Sequence, residues 1–165
     1  MRTYYDKYIK YKAKYLNIKN VQRGGEFYFM KTSDINQIDK REPGVFSAEF
    51  IKEMRGSVFY FYYDDDKLIG QLVIQTPQSD DYINPLLESN MDGYHYIWAV
   101  RIREEFRNMG YGYKMMRAAL TPINKYKLTV KTDNTPAIRL YEKLGFKIVG
   151  ELATRRYPEY IMTRD

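Results

Sequence analysis

Residues 100–116, VRIREEFRNMGYGYKMM, leave the chain few ways to fold. A β-rich run over 94–102 leads into a polar stretch, two glycines follow one residue apart, and apolar residues then recur at helical spacing. The pattern predicts a strand over 94–102, a loop over 107–112 and a helix over 110–120 that Pro122 closes. Glycine has no Cβ, so Gly110 and Gly112 let the main chain approach a bound group closely. A helix starting there aims its unpaired N–H groups and the positive end of its dipole at the same point. Such a loop suits a pyrophosphate. It is not a P-loop, because no Lys-Ser/Thr follows, and it lacks the third glycine of a dinucleotide-binding turn.

A second segment, residues 134–146, reads NTPAIRLYEKLGF. It predicts a helix over 135–144 ended by Gly145, and a strand over 146–151. The first segment contains R-x-x-G-x-G (Arg107, Gly110, Gly112) behind Glu105-Phe106. The second matches N-x-x-A-x-x-x-Y-E-K-x-G-F from Asn134 to Phe146. In this order, with one helix and one strand between them, the two motifs resemble the signatures of the GNAT superfamily of N-acetyltransferases. The resemblance covers residues 27–163.

That resemblance implies acetyl-CoA as cosubstrate. Backbone groups of Arg107, Asn108, Met109, Gly110, Tyr111 and Gly112 would bind its pyrophosphate. Val100, Ile102 and Arg103 would pair with the pantetheine arm as an added strand does. An N–H near Val100 would polarise the thioester carbonyl. Asn134 would touch the cofactor arm, and Tyr141 would protonate the departing thiolate, since a phenol of pKa ~10 keeps its proton at pH 7. The residues alone leave a plainer reading open, with Tyr141 and Phe146 as core aromatics and Arg107 as a surface charge.

The chain departs from the family pattern in one place. Many members carry a Glu or His base on the central strand, eleven residues before the arginine; here that position holds Tyr96. Tyr96 thus joins Tyr141 as a catalytic candidate, and the base stays unassigned. On an ideal strand Tyr96 and Trp98 share a face and His95 points away, a parity that a bulge would change. His95 has a suitable pKa class, and water relayed to an acidic side chain would serve equally. Residues 76–95 contain Asp80, Asp81, Glu88 and Asp92 and no Lys or Arg. In the resembled fold they would lie near the acceptor groove and attract a cationic amine; otherwise they form a solvated loop.

Composition excludes several alternatives. The 165 residues, 44% hydrophobic, suit one domain with a buried core. No apolar run approaches the ~20 residues of a membrane span, and no secretory leader is expected. With no cysteine and one histidine, disulfides, Cys-ligated zinc, an acyl-cysteine intermediate and a His/Cys metal cluster are ruled out, so no metal site is expected. Residues 1–25 hold seven Lys/Arg and one acid, leaving twenty bases and twenty acids for the rest. The +6 charge therefore sits in that segment, and the neutral body argues against a nucleic-acid-binding domain.

Residues 3–22 predict a helix with Tyr4, Tyr8, Tyr11, Tyr15 and Ile18 on a heptad-like seam, stopped by Gly24-Gly25. The seam would dock on the body or on a second copy; alternatively, the lysines form a handle for an anionic surface. The segment also resembles a short opening segment of giant DNA virus proteins, which would imply a viral protein. Two domains follow, a basic segment at 1–25 and a GNAT domain at 26–165. Further strands are expected at 27–31, 57–63, 68–76, 126–131 and 157–163, and helices at 33–41 and 47–56. The class is α+β, with a mixed central sheet flanked by helices.

The expected activity is acetyl transfer to a primary amine, on a cationic small molecule or a peptide, by direct attack in a ternary complex. The alternative is a non-catalytic CoA-binding or interaction module, for which the missing base speaks. A monomer or homodimer is expected in the cytoplasm, or in host cytoplasm or virion if the viral resemblance holds.

Overall fold

The computed structural model describes residues 27–33, 46, 47, 49, 50, 54, 56–64, 67–77, 93–153 and 157–165. The helix expected at 3–22, most of that at 33–41, and Asp80, Asp81, Glu88 and Asp92 lie outside them. Of the helix expected at 47–56, residues 47, 49, 50, 54 and 56 are described; the Phe50 N–H donates to Ser47 Oγ at 3.1 Å, the contact of an N-cap.

Seven strands form one sheet in the order β1-β2-β3-β4-β5-β7-β6. They are β1 Phe27–Thr32, β2 Ser57–Asp64, β3 Lys67–Gln75, β4 Tyr94–Ile102, β5 Lys125–Lys131, β6 Lys147–Ala153 and β7 Pro158–Arg164. Helix α1, Tyr111–Ala119, joins β4 to β5, and α2, Thr135–Lys143, joins β5 to β6. This is the expected α+β order. Every neighbouring pair is antiparallel except β4 and β5, which the α1 crossover makes parallel.

Strand alternation sorts the side chains into two cores. Phe59, Phe61 and Val73 pack with Phe46 and Phe50 on one face. Ile74, Ile97, Leu128 and Met162 pack with Met115 and Met116 of α1 and Tyr141 of α2 on the other. Each such side chain, fully buried, contributes about 1.5–3 kcal/mol.

Local chemistry sets both ends of α2. The Asn134 side chain accepts the Ala137 N–H at 3.3 Å, and Pro136 sits in the first turn, where a missing N–H costs nothing. At the other end Gly145 takes φ 89°, its N–H donates to Glu142 O at 2.9 Å, and the Phe146 N–H donates to Tyr141 O at 3.0 Å. This is a Schellman stop. It sets the Phe146 ring against Tyr141, centroids 5.9 Å apart, and so fixes Tyr141 from behind.

The feature that prepares a site is where β4 and β5 part. Among the described residues they pair only at Tyr94–Lys125, His95–Tyr126 and Tyr96–Lys127. Beyond Tyr96 the two strands run on unpaired, leaving a fork at their C-terminal ends, where ligands enter parallel sheets. On its other edge β4 stays paired with β3 through Ile102. The Arg103 N–H donates to Ile69 O at 2.9 Å. Hydrogen-bonded positions alternate in an antiparallel pair, so Ala99, Arg101 and Arg103 spend their main-chain groups on β3. Val100 and Ile102 direct theirs at the fork.

Candidate active site

The loop after β4 begins with one 3-10 turn, Glu104–Phe106, and ends at Gly110, the N-cap of α1. Asn108 and Gly110 both take left-handed conformations, φ 62° and 78°. Asn is among the few residues that tolerate this, and Gly is the default there. No side chain caps α1, so its first N–H groups face outward unshielded. The two glycines differ in purpose. A Cβ on Gly110 would meet nothing within 4 Å, so its side of the loop is open. A Cβ on Gly112 would lie 3.2 Å from a Leu140 methyl and 3.7 Å from Ile102, so this glycine brings α1 close to α2 and β4. An open cradle of main-chain N–H groups at a helix start fits a pyrophosphate.

The neighbouring side chains are held aside. Tyr111 donates its hydroxyl to Asp64 Oδ2 at 3.4 Å and packs edge-on against Phe106 and Tyr62, so it offers the cradle its N–H alone. Burial and then Asp64 raise its pKa. Arg107 Nε donates to Ile102 O at 3.3 Å, tying the loop to the end of β4. Met109 is exposed. Arg103 differs from Val100 and Ile102: its N–H goes to Ile69, and its carbonyl accepts the Phe106 N–H at 2.9 Å. The Asn134 carbonyl oxygen caps α2.

Three hydroxyl side chains occupy the fork region. Tyr96, 3% exposed, hydrogen-bonds across to Thr129 of β5, their oxygens 3.1 Å apart. Tyr141, 8% exposed, has its pKa pushed up to about 12, first by burial and then by the nearby Tyr96. Tyr96 also meets Trp98 edge-on at 4.8 Å, and Trp98 Nε1 donates to Gln75 Oε1 at 2.7 Å.

A bulge does fall in β4, at Trp98, where Val73 pairs with Ala99 and Ile74 with Ile97. It comes after Tyr96, so it leaves Tyr96 and Trp98 on one side. What it turns is the far end of the strand. Trp98 and Ala99 both join the β2 core, and Val100 and Ile102 join the helix side.

Thr129 is the residue that sequence reasoning missed. Strand alternation sets it apart from the inward Leu128 and Val130, but its meeting with Tyr96 depends on where the fork opens. His95 lies below the fork, its ring 5.4 Å from Tyr126, and burial lowers its pKa from 6.5, so it is neutral at pH 7. Its contribution to stability is present above pH 6.5 and is lost as the pH falls and the unfolded chain binds the proton. His95→Gln is expected to flatten the decline of Tm below pH 6.5 and to leave kcat within about threefold, far short of losing a general base. A hundredfold fall in kcat would instead place His95 in the chemistry.

The family described as Acetyltransferase (GNAT) matches residues 27–146. An N-alpha-acetyltransferase of Saccharolobus solfataricus is 29% identical over 136 residues, spanning 74% of this chain and 80% of that protein. One of Sulfurisphaera tokodaii is 25% identical over the same shares. Among solved structures, Arabidopsis thaliana NAA60 in complex with acetyl-CoA superposes with a TM-score of 0.58 at 17% identity, covering 84% of this chain and 98% of that one. Arabidopsis thaliana Naa50 in complex with the bisubstrate analogue CoA-Ac-MVNAL gives 0.57 at 16% identity, covering 84% and 98%.

Proposed function

The chain belongs to the acetyltransferase (GNAT) family and uses acetyl-CoA to acetylate an amine, and from that premise we propose that its acceptor is the α-amine of a peptide or protein N-terminus. The observation that carries this reading is the chemistry of the fork. Tyr96, Thr129 and Tyr141 can hold or pass a proton, but a neutral phenol or alcohol cannot strip one from a lysine ammonium of pKa ~10.4. An α-ammonium, at pKa ~7.7–8.0, needs no such base: about a third is already neutral at pH 7.5, against about one in a thousand for lysine. The N-alpha-acetyltransferases among the relatives support the same acceptor.

The chain's residues divide the work as follows. The cradle of Arg107, Asn108, Met109, Gly110, Tyr111 and Gly112 holds the pyrophosphate by main-chain N–H groups. Val100 and Ile102 pair with the pantetheine arm, and the Val100 N–H bonds the thioester carbonyl oxygen. Arg103 flanks this edge with its main chain engaged, and Asn134 serves first as the cap that orients α2. The neutral nitrogen bonds to the carbonyl carbon, the carbon–sulfur bond breaks, and the thiolate takes the Tyr141 proton, which water restores. The proton that nitrogen sheds passes to the Tyr96–Thr129 pair and out to solvent.

The pH dependence tests this. For a peptide with a free α-amine, kcat/KM is expected to rise with pH and level off near pH 8, following the acceptor's own ionisation. For an N-terminally blocked lysine peptide it climbs toward pH 10. No alkaline fall appears below pH 10, because Tyr141 keeps its proton up to about 12. A profile for the α-amine peptide that is flat from pH 6 to 9 would point to an enzyme base and count against the reading.

A further inference from the structure

The Tyr96–Thr129 pair lies on one face of the sheet. Ile97, Leu128 and Val130, their neighbours along β4 and β5, pack with α1 and α2. Alternation therefore turns Tyr96 and Thr129 to the opposite face. Trp98 follows Tyr96 on that face. It is the chain's one tryptophan, it is half-buried, and it packs against the aromatic core that Phe59 and Phe61 build with Phe46 and Phe50. The β4 bulge falls on it: Trp98 is the extra residue between Ile97 and Ala99, and a bulge re-aims the side chain it carries. Two contacts then fix the ring. It meets the Tyr96 ring edge-on at 4.8 Å. Its Nε1 donates at 2.7 Å to Oε1 of Gln75, a side chain only 2% exposed. With that polar atom committed to β3, the indole offers carbon surface to whatever lies over Tyr96.

We propose that Trp98 sets the acceptor preference: its indole is one wall of the pocket for the peptide's first side chain and selects a large apolar residue there. This rests on the α-amine reading. The attacking nitrogen has to reach both the Tyr96–Thr129 pair, where it sheds its proton, and the thioester carbon beside the Val100 N–H. Met115, Met116 and Tyr141 fill the helix side of the sheet, and the pantetheine arm takes the edge of β4. The peptide therefore approaches from the face that carries Trp98. The Cβ of its first residue is two bonds, ~2.5 Å, from the nitrogen. That side chain starts beside Tyr96, with the Trp98 ring next to it. A ring already held in place loses little entropy when covered, and apolar contact gains in proportion to the area removed from water. The single indole N–H is spent on Gln75, so no donor is left there for a serine hydroxyl. Peptides that begin with leucine or methionine are thus taken ahead of those that begin with alanine, glycine or serine.

Two peptides that differ only in a first residue of leucine or alanine test the assignment, because their α-amines are alike and their side chains differ in apolar area. With the full chain and acetyl-CoA, kcat/KM is expected to be at least about tenfold higher for the leucine peptide. In Trp98→Ala the ratio should fall to within about threefold of one, while the Kd for acetyl-CoA stays within about twofold. A second readout needs no variant. Trp98 is the sole indole, so tryptophan emission reports on this wall alone. With free CoA, which permits binding without turnover, the leucine peptide should shift that emission to shorter wavelength in a saturable way. A Trp98→Ala variant that keeps the preference overturns the proposal. So does equal acetylation of the two peptides by the unmodified chain, or an emission unmoved at saturating leucine peptide. If neither peptide is acetylated on its α-nitrogen while acetyl-CoA still binds, the α-amine reading fails and takes this one with it.

Discussion

Tyr141→Phe is expected to lower kcat by about two to three orders of magnitude and to leave the Kd for acetyl-CoA within about twofold. The substitution removes one oxygen and keeps the ring that packs on Phe146, so the Schellman stop and the α2 core survive. What disappears is the proton that the proposed mechanism gives to the departing thiolate. Burial, with Tyr96 second, pushes the Tyr141 pKa up to about 12, so the phenol is fully protonated at any working pH. A raised folded-state pKa also fixes the sign of its effect on stability. Between pH 10 and about 12 the unfolded tyrosine loses its proton first, so folding weakens as pH rises through that window, and at neutral pH the group contributes nothing to the pH dependence. Steady-state kinetics with calorimetric binding separates the cases. Unchanged kcat would mean that water protonates the thiolate; a large loss of binding would mean that the hydroxyl supports the fold of the site.

The second large effect is expected at Gly110→Asp. A left-handed residue costs most side chains about 1–2 kcal/mol, but Asp tolerates that region, and a negative charge at the start of α1 favours its dipole. Because a Cβ at Gly110 meets nothing within 4 Å, the carboxylate has room. The fold should therefore hold, with Tm within about 5 °C. The same carboxylate competes for the open N–H groups and repels a pyrophosphate, so acetyl-CoA should bind at least about a hundredfold more weakly. Wild-type affinity in a folded Gly110→Asp variant would move the pyrophosphate elsewhere.

The local features of this site were legible because they are written in short stretches of chain. Gly110 and Gly112 announce a loop through which the main chain can approach a bound group; the structure gives Gly110 the left-handed turn that opens α1 and uses Gly112 to pack α1 against Leu140 and Ile102. Asn134, Pro136 and Gly145 mark the two ends of α2, which sit within a residue of where the pattern puts them. What depends on pairing between distant strands was not legible. The fork opens after Tyr96 because β5 leaves β4 there, and that point decides that Thr129 meets Tyr96. The bulge at Trp98 was foreseeable only as a possibility in parity, since nothing in YHYIWAV says which residue is extra. Arg103 shows the reverse case. Alternation along β4 already sets it on the opposite edge from Val100 and Ile102, and the bond to Ile69 records that.

Whether the acetyl group goes to an α-amine can be read from a single peptide. It carries a free N-terminus and one internal lysine, is incubated with the full chain and acetyl-CoA at pH 7.5, and is sequenced by fragmentation mass spectrometry. At least about 90% of the acetyl group is expected on the α-nitrogen, since the neutral fraction favours that amine by about two orders of magnitude. Acetylation mainly on the lysine would contradict it, because some group at the fork would then have to take a proton that Tyr96, Thr129 and Tyr141 cannot.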